Sequence, residues 1–209
     1  MFVADNMTTS PITITKDTSV LDALDIMKKY SFRELPVVRG SKLVGLVTEK
    51  ELLTASPSPA TTLSVYEMKG LLSKLNVADV MVKDPITVEP YCTIEEAALK
   101  MREHKIGCLL VEENEVLVGI ITQTDIFEAL IRIFGLRKAG TRIVIEAQDR
   151  MGLINEITRL VKECSENVIG IAVLEKGNNR LHVMLRIAND NSDAVTDALT
   201  LAGYKIIKH

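Results

Sequence analysis

Apolar positions in the first part of the chain switch between two periods. Val20, Ala23, Leu24 and Met27 recur at i, i+3, i+4 and i+7, the spacing of one helix face. Two short apolar runs follow at 35–38 and 43–48, each short enough for a buried strand. Arg39-Gly40-Ser41-Lys42 separates them and carries a glycine suited to a tight turn. An extended piece is expected after Pro11, over 12–14. The hydroxyls of Thr18-Ser19 suit a helix start, and a closing helix is expected from about Lys50. The predicted order is β-α-β-β-α.

The pattern returns 74 positions later. Met7 aligns with Met81, Pro11 with Pro85, Ala23 with Ala97, Met27 with Met101, Gly45 with Gly119 and Thr48 with Thr122, without a gap. Matches at one offset predict two copies of one supersecondary unit stacked on each other. In the second copy Thr93-x-x-Glu96 forms a capping box, stronger than its upstream counterpart because Glu96 reaches back further than Asp22. Its helix face is Ile94, Ala97, Ala98 and Met101. Strands are expected at 109–111 and 117–122, and a closing helix from Asp125 to about Phe134, before Gly135. Between the copies, 56–62 is a polar loop punctuated by Pro57 and Pro59. Ser64-x-x-Glu67 then has capping-box spacing, ahead of a helix over 65–75 that would bury Met68, Leu71, Leu72 and Leu75. That helix reads as packing that closes the pair, or as a lid or oligomer contact.

Beyond the short linker Arg137-Lys138-Ala139-Gly140 the periods change again. Residues 141–147 alternate as a strand. Leu153, Ile157, Leu160, Val161 and Cys164 make a helix face. A strand at 168–174 leads to the turn Gly177-Asn178-Asn179. Leu181, Val183, Leu185 and Ile187 then alternate with polar or larger residues, His182 lying on the polar face. Val195, Ala198, Leu199 and Ala202 form a second helix face before a last strand at 204–207. This β-α-β-β-α-β order is the split βαβ, ferredoxin-like pattern. The expected fold class is therefore α/β and α+β, with units at 1–62, 63–75 (linker helix), 76–136 and 141–209.

Composition narrows the chemistry. A formal net charge of −3 gives no basic field for nucleic acid, and 4% aromatic residues without Trp leave few stacking platforms for bases. No apolar run reaches 18 residues, and Met1-Phe2-Val3-Ala4-Asp5-Asn6 lacks a secretory pattern. Three scattered cysteines (Cys92, Cys108, Cys164) argue against a disulfide framework and for a reducing compartment. With His104, His182 and His209 they make no metal-ligand spacing, so no metal site is expected. A cytoplasmic protein, off the membrane, is the expectation.

The Met-x-x-x-Pro-Ile-Thr openings, Leu35-Pro36-Val37-Val38 and the endings Gly45-Leu46-Val47-Thr48-Glu49-Lys50-Glu51 and Gly119-Ile120-Ile121-Thr122-Gln123-Thr124-Asp125 resemble CBS domains. The resemblance implies a pseudo-twofold pair with two clefts for adenosine ligands: AMP, ATP or S-adenosylmethionine. It implies one site at Ile86 and Thr87 along the adenine edge, with Cys108, Ile120 and Ile121 as apolar walls. Thr122 would serve phosphate and Asp125 the ribose hydroxyls. Arg33, placed like basic residues in the AMP-kinase regulatory subunit, would reach across to the phosphate, or else be a solvated surface arginine. A weaker second site is implied at Ile12, Thr13, Thr48 and Glu51, where glutamate replaces aspartate. The residues themselves leave a second reading open: Thr122 and Asp125 cap a helix with the same oxygens.

Asp149-Arg150-x-Gly152-Leu153 on the βαββαβ frame resembles an ACT domain. This implies a possible amino-acid effector at Asp149, Arg150, Gly152 and Leu153, and pairing with a second copy. The tight turn alone also accounts for Asp149 and Gly152. The whole arrangement resembles AcuB-type proteins linked to acetoin utilisation. The expectation is a non-enzymatic, homodimeric nucleotide sensor with an unknown protein target and no required cofactor. The alternative is a structural subunit with empty clefts that scaffolds an enzyme.

Overall fold

The computed structural model describes residues 1–56 and 64–207; the proline-punctuated loop from Pro57 onward and His209 lie outside the described residues. The chain divides into two compact units, Met1–Ile126 and the remainder from Phe127.

In the first unit a single 3-10 turn, Val3–Asp5, precedes β1 (Thr8–Thr9). Then come α1 (Val20–Tyr30), β2 (Glu34–Arg39), β3 (Lys42–Thr48) and α2 (Glu49–Ala55). The Ser19 hydroxyl accepts a hydrogen bond from the Asp22 N–H at 3.0 Å and so caps α1. Val20, Ala23 and Met27 face inward, as their spacing predicts. β2 and β3 form a hairpin across Gly40-Ser41, with Gly40 at φ +66°.

Next are α3 (Val65–Leu72) and a four-residue helix α4 (Val77–Val80). The expected helix to residue 75 stops three residues early. Leu72 and Leu75 pack on the first repeat's core, but Leu71 is exposed. Residues 73–76 instead turn back, so that the Val20 N–H donates to the Leu75 carbonyl and the Val77 N–H to the Thr18 carbonyl.

The second copy follows as β4 (Thr87–Val88), α5 (Ile94–His104), β5 (Cys108–Glu113), β6 (Val116–Thr122) and α6 (Gln123–Ile133). Glu96 accepts from both the Thr93 N–H and its hydroxyl, whereas Asp22 reaches only the Ser19 hydroxyl, which matches their lengths.

The two repeats exchange their leading segments. β1 pairs with β6, giving the sheet order β1-β6-β5-β4. Reciprocally, Val82 bridges Leu46 of β3. The hydrogen bonds repeat at the same offset: Val3 N–H to Cys92 carbonyl mirrors Val77 to Thr18, Ala4 to Pro90 mirrors Ala78 to Lys16, and Ile94 to Met1 mirrors Val20 to Leu75. The extended piece expected at 12–14 survives only as a parallel bridge from Ile14 to Val37. Between the repeats, Leu43 and Leu46 of β3 pack with Cys108, Leu110 and Ile120 of β5 and β6.

The second unit, beyond α6, contains β7 (Thr141–Gln148), α7 (Leu153–Glu163), β8 (Val168–Glu175), β9 (Arg180–Ile187), α8 (Asp193–Leu201) and β10 (Lys205–Ile207). Its antiparallel sheet runs β10-β7-β9-β8, the ferredoxin-like order. Ile143, Ile145, Val183, Leu185 and Ile187 are buried with Leu153, Ile157, Val161, Val195 and Leu199 of the helices.

Candidate functional site: two clefts built from both repeats

The segment exchange decides which residues meet. One cleft of about 640 Å³ is lined by Thr8, Ser10, Pro11 and Ile12 from the first leading segment. Ser31, Phe32, Arg33, Glu34 and Pro36 come from the end of α1 and the start of β2, and Ile120, Thr122, Gln123 and Thr124 from the end of β6 and the start of α6. The other, of about 400 Å³, is built from the corresponding segments of the repeat: Val82, Asp84, Pro85 and Ile86, then His104, Lys105, Ile106 and Cys108, then Leu46, Thr48, Lys50 and Glu51. Glu34 and Gly107 line both.

This regroups the expected sites. Arg33 does stand with Thr122 and Ile120, as the reach across the pair requires. Ile86 does not; it stands with Thr48 and Glu51, and Ile12 stands with Thr122, while Cys108, opposite Thr122 on the neighbouring strand and packed with Ile120, lines the Thr48 cleft. The expected grouping put each leading segment with its own repeat, whereas β1 hydrogen-bonds to β6 and Val82 to β3. Thr87 lies on β4 opposite Leu110 and faces a separate surface hollow with Lys42 and Lys100. Thr13 is exposed and lines neither cleft. Ile121 is fully buried rather than a cleft wall, because strand alternation turns it away from Ile120. Ser10, Ser31, Phe32, Glu34, Lys50, Asp84 and Lys105 line the clefts without having been singled out from the sequence. The offset alone would have found them, had the exchange been known.

Both acidic side chains cap. The Asp125 carboxylate accepts from the Thr122 N–H and hydroxyl, each at 2.8 Å. Glu51 accepts from the Thr48 N–H at 3.2 Å and also from its hydroxyl. Despite the extra methylene of Glu51, the two carboxylates meet equivalent donors. Only one oxygen of Asp125, Oδ2, is used in these bonds; Asp125 itself is not among the residues that line the Thr122 cleft, whereas Glu51 lines the other.

Burial raises the Glu34 carboxyl above its usual range, partly offset by the Arg33 guanidinium, with Glu49 adding to the rise. Burial likewise pushes the Cys108 thiol up to about 12, helped by the Glu34 and Glu51 carboxylates. Cys108 is therefore a neutral wall and no nucleophile.

In the second unit Asp149, Arg150, Gly152 and Leu153 share a hollow of about 450 Å³ with Ile154, Asn155, Val173, Glu175 and Leu181. Gly152 caps α7 at φ +83°, a backbone conformation that favours glycine. The Asp149 N–H donates to the Asn179 carbonyl, which ties the loop to the hairpin turn. Arg150 is engaged by Glu156 and by the Tyr204 hydroxyl. Leu153 belongs to the core. No cluster of metal-ligating side chains occurs among the described residues, and no described helix is long and apolar enough to cross a membrane.

A family model for the CBS domain matches residues 3–58 and 77–132. The chain belongs to the CBS-domain family. An inosine-5′-monophosphate dehydrogenase of Korarchaeum cryptofilum is 35% identical over 137 residues, 65% of this chain but 26% of the dehydrogenase. The chain thus spans about a quarter of that relative's length. Among solved structures, a protein assigned to acetoin utilization (AcuB) from Vibrio cholerae is 33% identical with a TM-score of 0.55, covering 66% of this chain and 95% of its own. CBSX2, solved in complex with AMP, is 30% identical with a TM-score of 0.52, covering 63% and 97%. The CBS domain pair of protein MJ0100, solved with 5′-methylthioadenosine and S-adenosyl-L-methionine, is 25% identical with a TM-score of 0.52, covering 62% and 99%. The first match interval starts inside the exchanged leading segment, and the second at the start of α4, so the CBS repeat includes the strand it lends to its twin.

Proposed function

We propose that this CBS pair is a regulatory ligand sensor without catalytic activity, taking an adenosine ligand (AMP, ATP or S-adenosylmethionine) in the cleft at Thr122. The observation that carries this is the convergence in one cleft of Arg33 from one repeat with Thr122 and the α6 N-terminus from the other. A phosphate there meets a guanidinium, a hydroxyl and the partial positive charge of an 11-residue helix. Ile12 and Ile120 supply apolar surface for a base, and Asp125 Oδ1 is an acceptor for a ribose hydroxyl. AMP beside CBSX2 and the adenosine ligands of the MJ0100 pair support the same ligand class.

The second unit acts as an ACT-type module, with its hollow at Asp149 and Gly152 open to a small effector such as an amino acid. It works in a cytoplasmic homodimer that passes the signal to a protein target. The AcuB likeness points toward acetoin or central carbon metabolism. For such a switch, the ligand must bind one arrangement more tightly than the other.

Calorimetry with AMP, ATP and S-adenosylmethionine tests the reading. Binding by at least one is expected. Asp125→Ala should weaken it by about 1.5–3 kcal/mol, the contribution of one hydrogen bond to a charged acceptor. No binding by the wild type, or unchanged binding by Asp125→Ala, would overturn it and leave the scaffold alternative.

A further inference from the structure

Among the described residues, Glu34 is one of two that line both clefts; the other, Gly107, carries no side chain. Glu34 opens β2 opposite Thr48, and its Oε1 lies 3.4 Å from the point where a Cβ on Gly107 would stand. The residue 74 positions on is Cys108, a buried neutral thiol. Of the two positions related by the pseudo-twofold, only one carries a charge, and that charge is shared. It also lies half-buried, where solvent screens it less than a surface carboxylate.

Arg33, next in sequence, opposes this charge in the Thr122 cleft. In the Thr48 cleft its counterpart is Gly107, and no guanidinium stands among the described residues that line it. Glu51 and Asp84 add negative charge to that cleft, and Lys50 and Lys105 add positive charge to it.

We propose that Glu34 sets the charge preference of both clefts. It disfavours adenosine ligands carrying phosphate at the 5′ position and favours those that are neutral or cationic there, most strongly in the Thr48 cleft, where the counterpart of Arg33 is a glycine. The two clefts thereby take different members of one ligand class. A phosphorylated nucleoside suits the Thr122 cleft beside Arg33, and a sulfonium-bearing one suits the Thr48 cleft. This rests on the clefts being adenosine sites.

The test is calorimetry of the full chain, as wild type, Glu34→Gln and Glu34→Asp, with AMP, 5′-methylthioadenosine and S-adenosylmethionine. Glu34→Gln should tighten AMP by roughly 3–10-fold and weaken S-adenosylmethionine by a similar factor, as expected for one charge at partial screening. Binding of neutral 5′-methylthioadenosine should stay within about twofold, on the same grounds of absent charge, and so reports an intact fold. Glu34→Asp should keep the wild-type ratio. An unchanged AMP to S-adenosylmethionine ratio in Glu34→Gln, with all ligands still bound, overturns the role of Glu34 alone. The same holds if Glu34→Asp behaves like Glu34→Gln. Failure of the wild type to bind any of the three overturns the adenosine reading and this proposal together.

Discussion

Gly45→Ala tests the segment exchange directly. A Cβ at Gly45 would stand 2.6 Å from Met81 Sδ and 2.9 Å from the Val82 carbonyl oxygen. The sulfur can move, being the end of a flexible side chain. The carbonyl cannot, since the Leu46 N–H donates to it at 2.9 Å and the Val82 N–H returns a bond to Leu46 at 2.8 Å. Overpacking of this kind costs about 1–3 kcal/mol, offset by about 0.4–1 kcal/mol of reduced chain entropy in the unfolded state. The expected net loss is therefore on the order of 1–2 kcal/mol. Gly119 provides the internal comparison. Its Cβ would lie 2.5 Å from Met7 Sδ, but 3.1 Å from the Thr8 carbonyl. In a Met7→Ala background, Gly119→Ala should thus cost little. In a Met81→Ala background, Gly45→Ala should still cost about 1 kcal/mol, because the carbonyl contact remains. Urea denaturation followed by far-UV circular dichroism, arranged as two double-mutant cycles, measures both. Equal stability of Gly45→Ala and wild type, or full rescue by Met81→Ala, would refute the reasoning.

Two further outcomes follow from the centre of the pair. Cys108, buried and with a thiol pushed up to about 12, should be the last of the three cysteines to react with iodoacetamide at pH 8, and should be labelled fully only in denaturant; mass spectrometry of a labelling time course checks this, and early labelling of Cys108 would count against it. The Glu34 carboxyl is raised by burial, so the fold favours its protonated form and its ionisation works against stability above the raised value. Glu34→Gln should therefore be more stable than wild type at pH 7, with the gap closing as pH falls to and below 4.5, the carboxyl's ordinary value; denaturation curves at pH 7 and pH 4 would contradict this if the gap were constant or reversed.

Much of the architecture could be read from periodicity. The face Val20, Ala23 and Met27 and the runs around Leu35 and Leu43 give helix and strands in the right order, because the helix and the second strand each bury one side, the first strand is a short run buried on both, and nothing competes with their local preference. The second unit was equally legible, since Leu181, Val183, Leu185 and Ile187 alternate strictly against His182, Met184 and Arg186. What periodicity could not carry was partnership. Thr8–Thr9 is a two-residue strand whose exposed side chains leave no pattern, and its partner, β6, lies over a hundred residues away. Ile86 lines the Thr48 cleft and Ile12 the Thr122 cleft for that reason: a leading segment closes on the other repeat and not on its own. Leu71 was misplaced for a related one. A helix ending at Leu72 presents a narrower face than one reaching residue 75.

The exchange also explains why the glycines of the repeat lie where they do. Each copy lends its leading segment to the other, and the lent strand crosses β3 or β6 at Gly45 or Gly119, with Met81 or Met7 filling the space a side chain would take. From that crossing the segment runs along the cleft, lining it from Val82 to Ile86 or from Thr8 to Ile12. Each cleft therefore has one wall held by the other repeat's backbone hydrogen bonds. A shift of one repeat against the other would move the leading segment and the capped helix start by different amounts. A ligand touching both walls would favour one spacing between the repeats, which is the differential interaction that a population shift requires. Under the proposed reading, Arg33 and Thr122 suit a sensor because they come from opposite halves: a phosphate touching both would make binding depend on how the repeats pack.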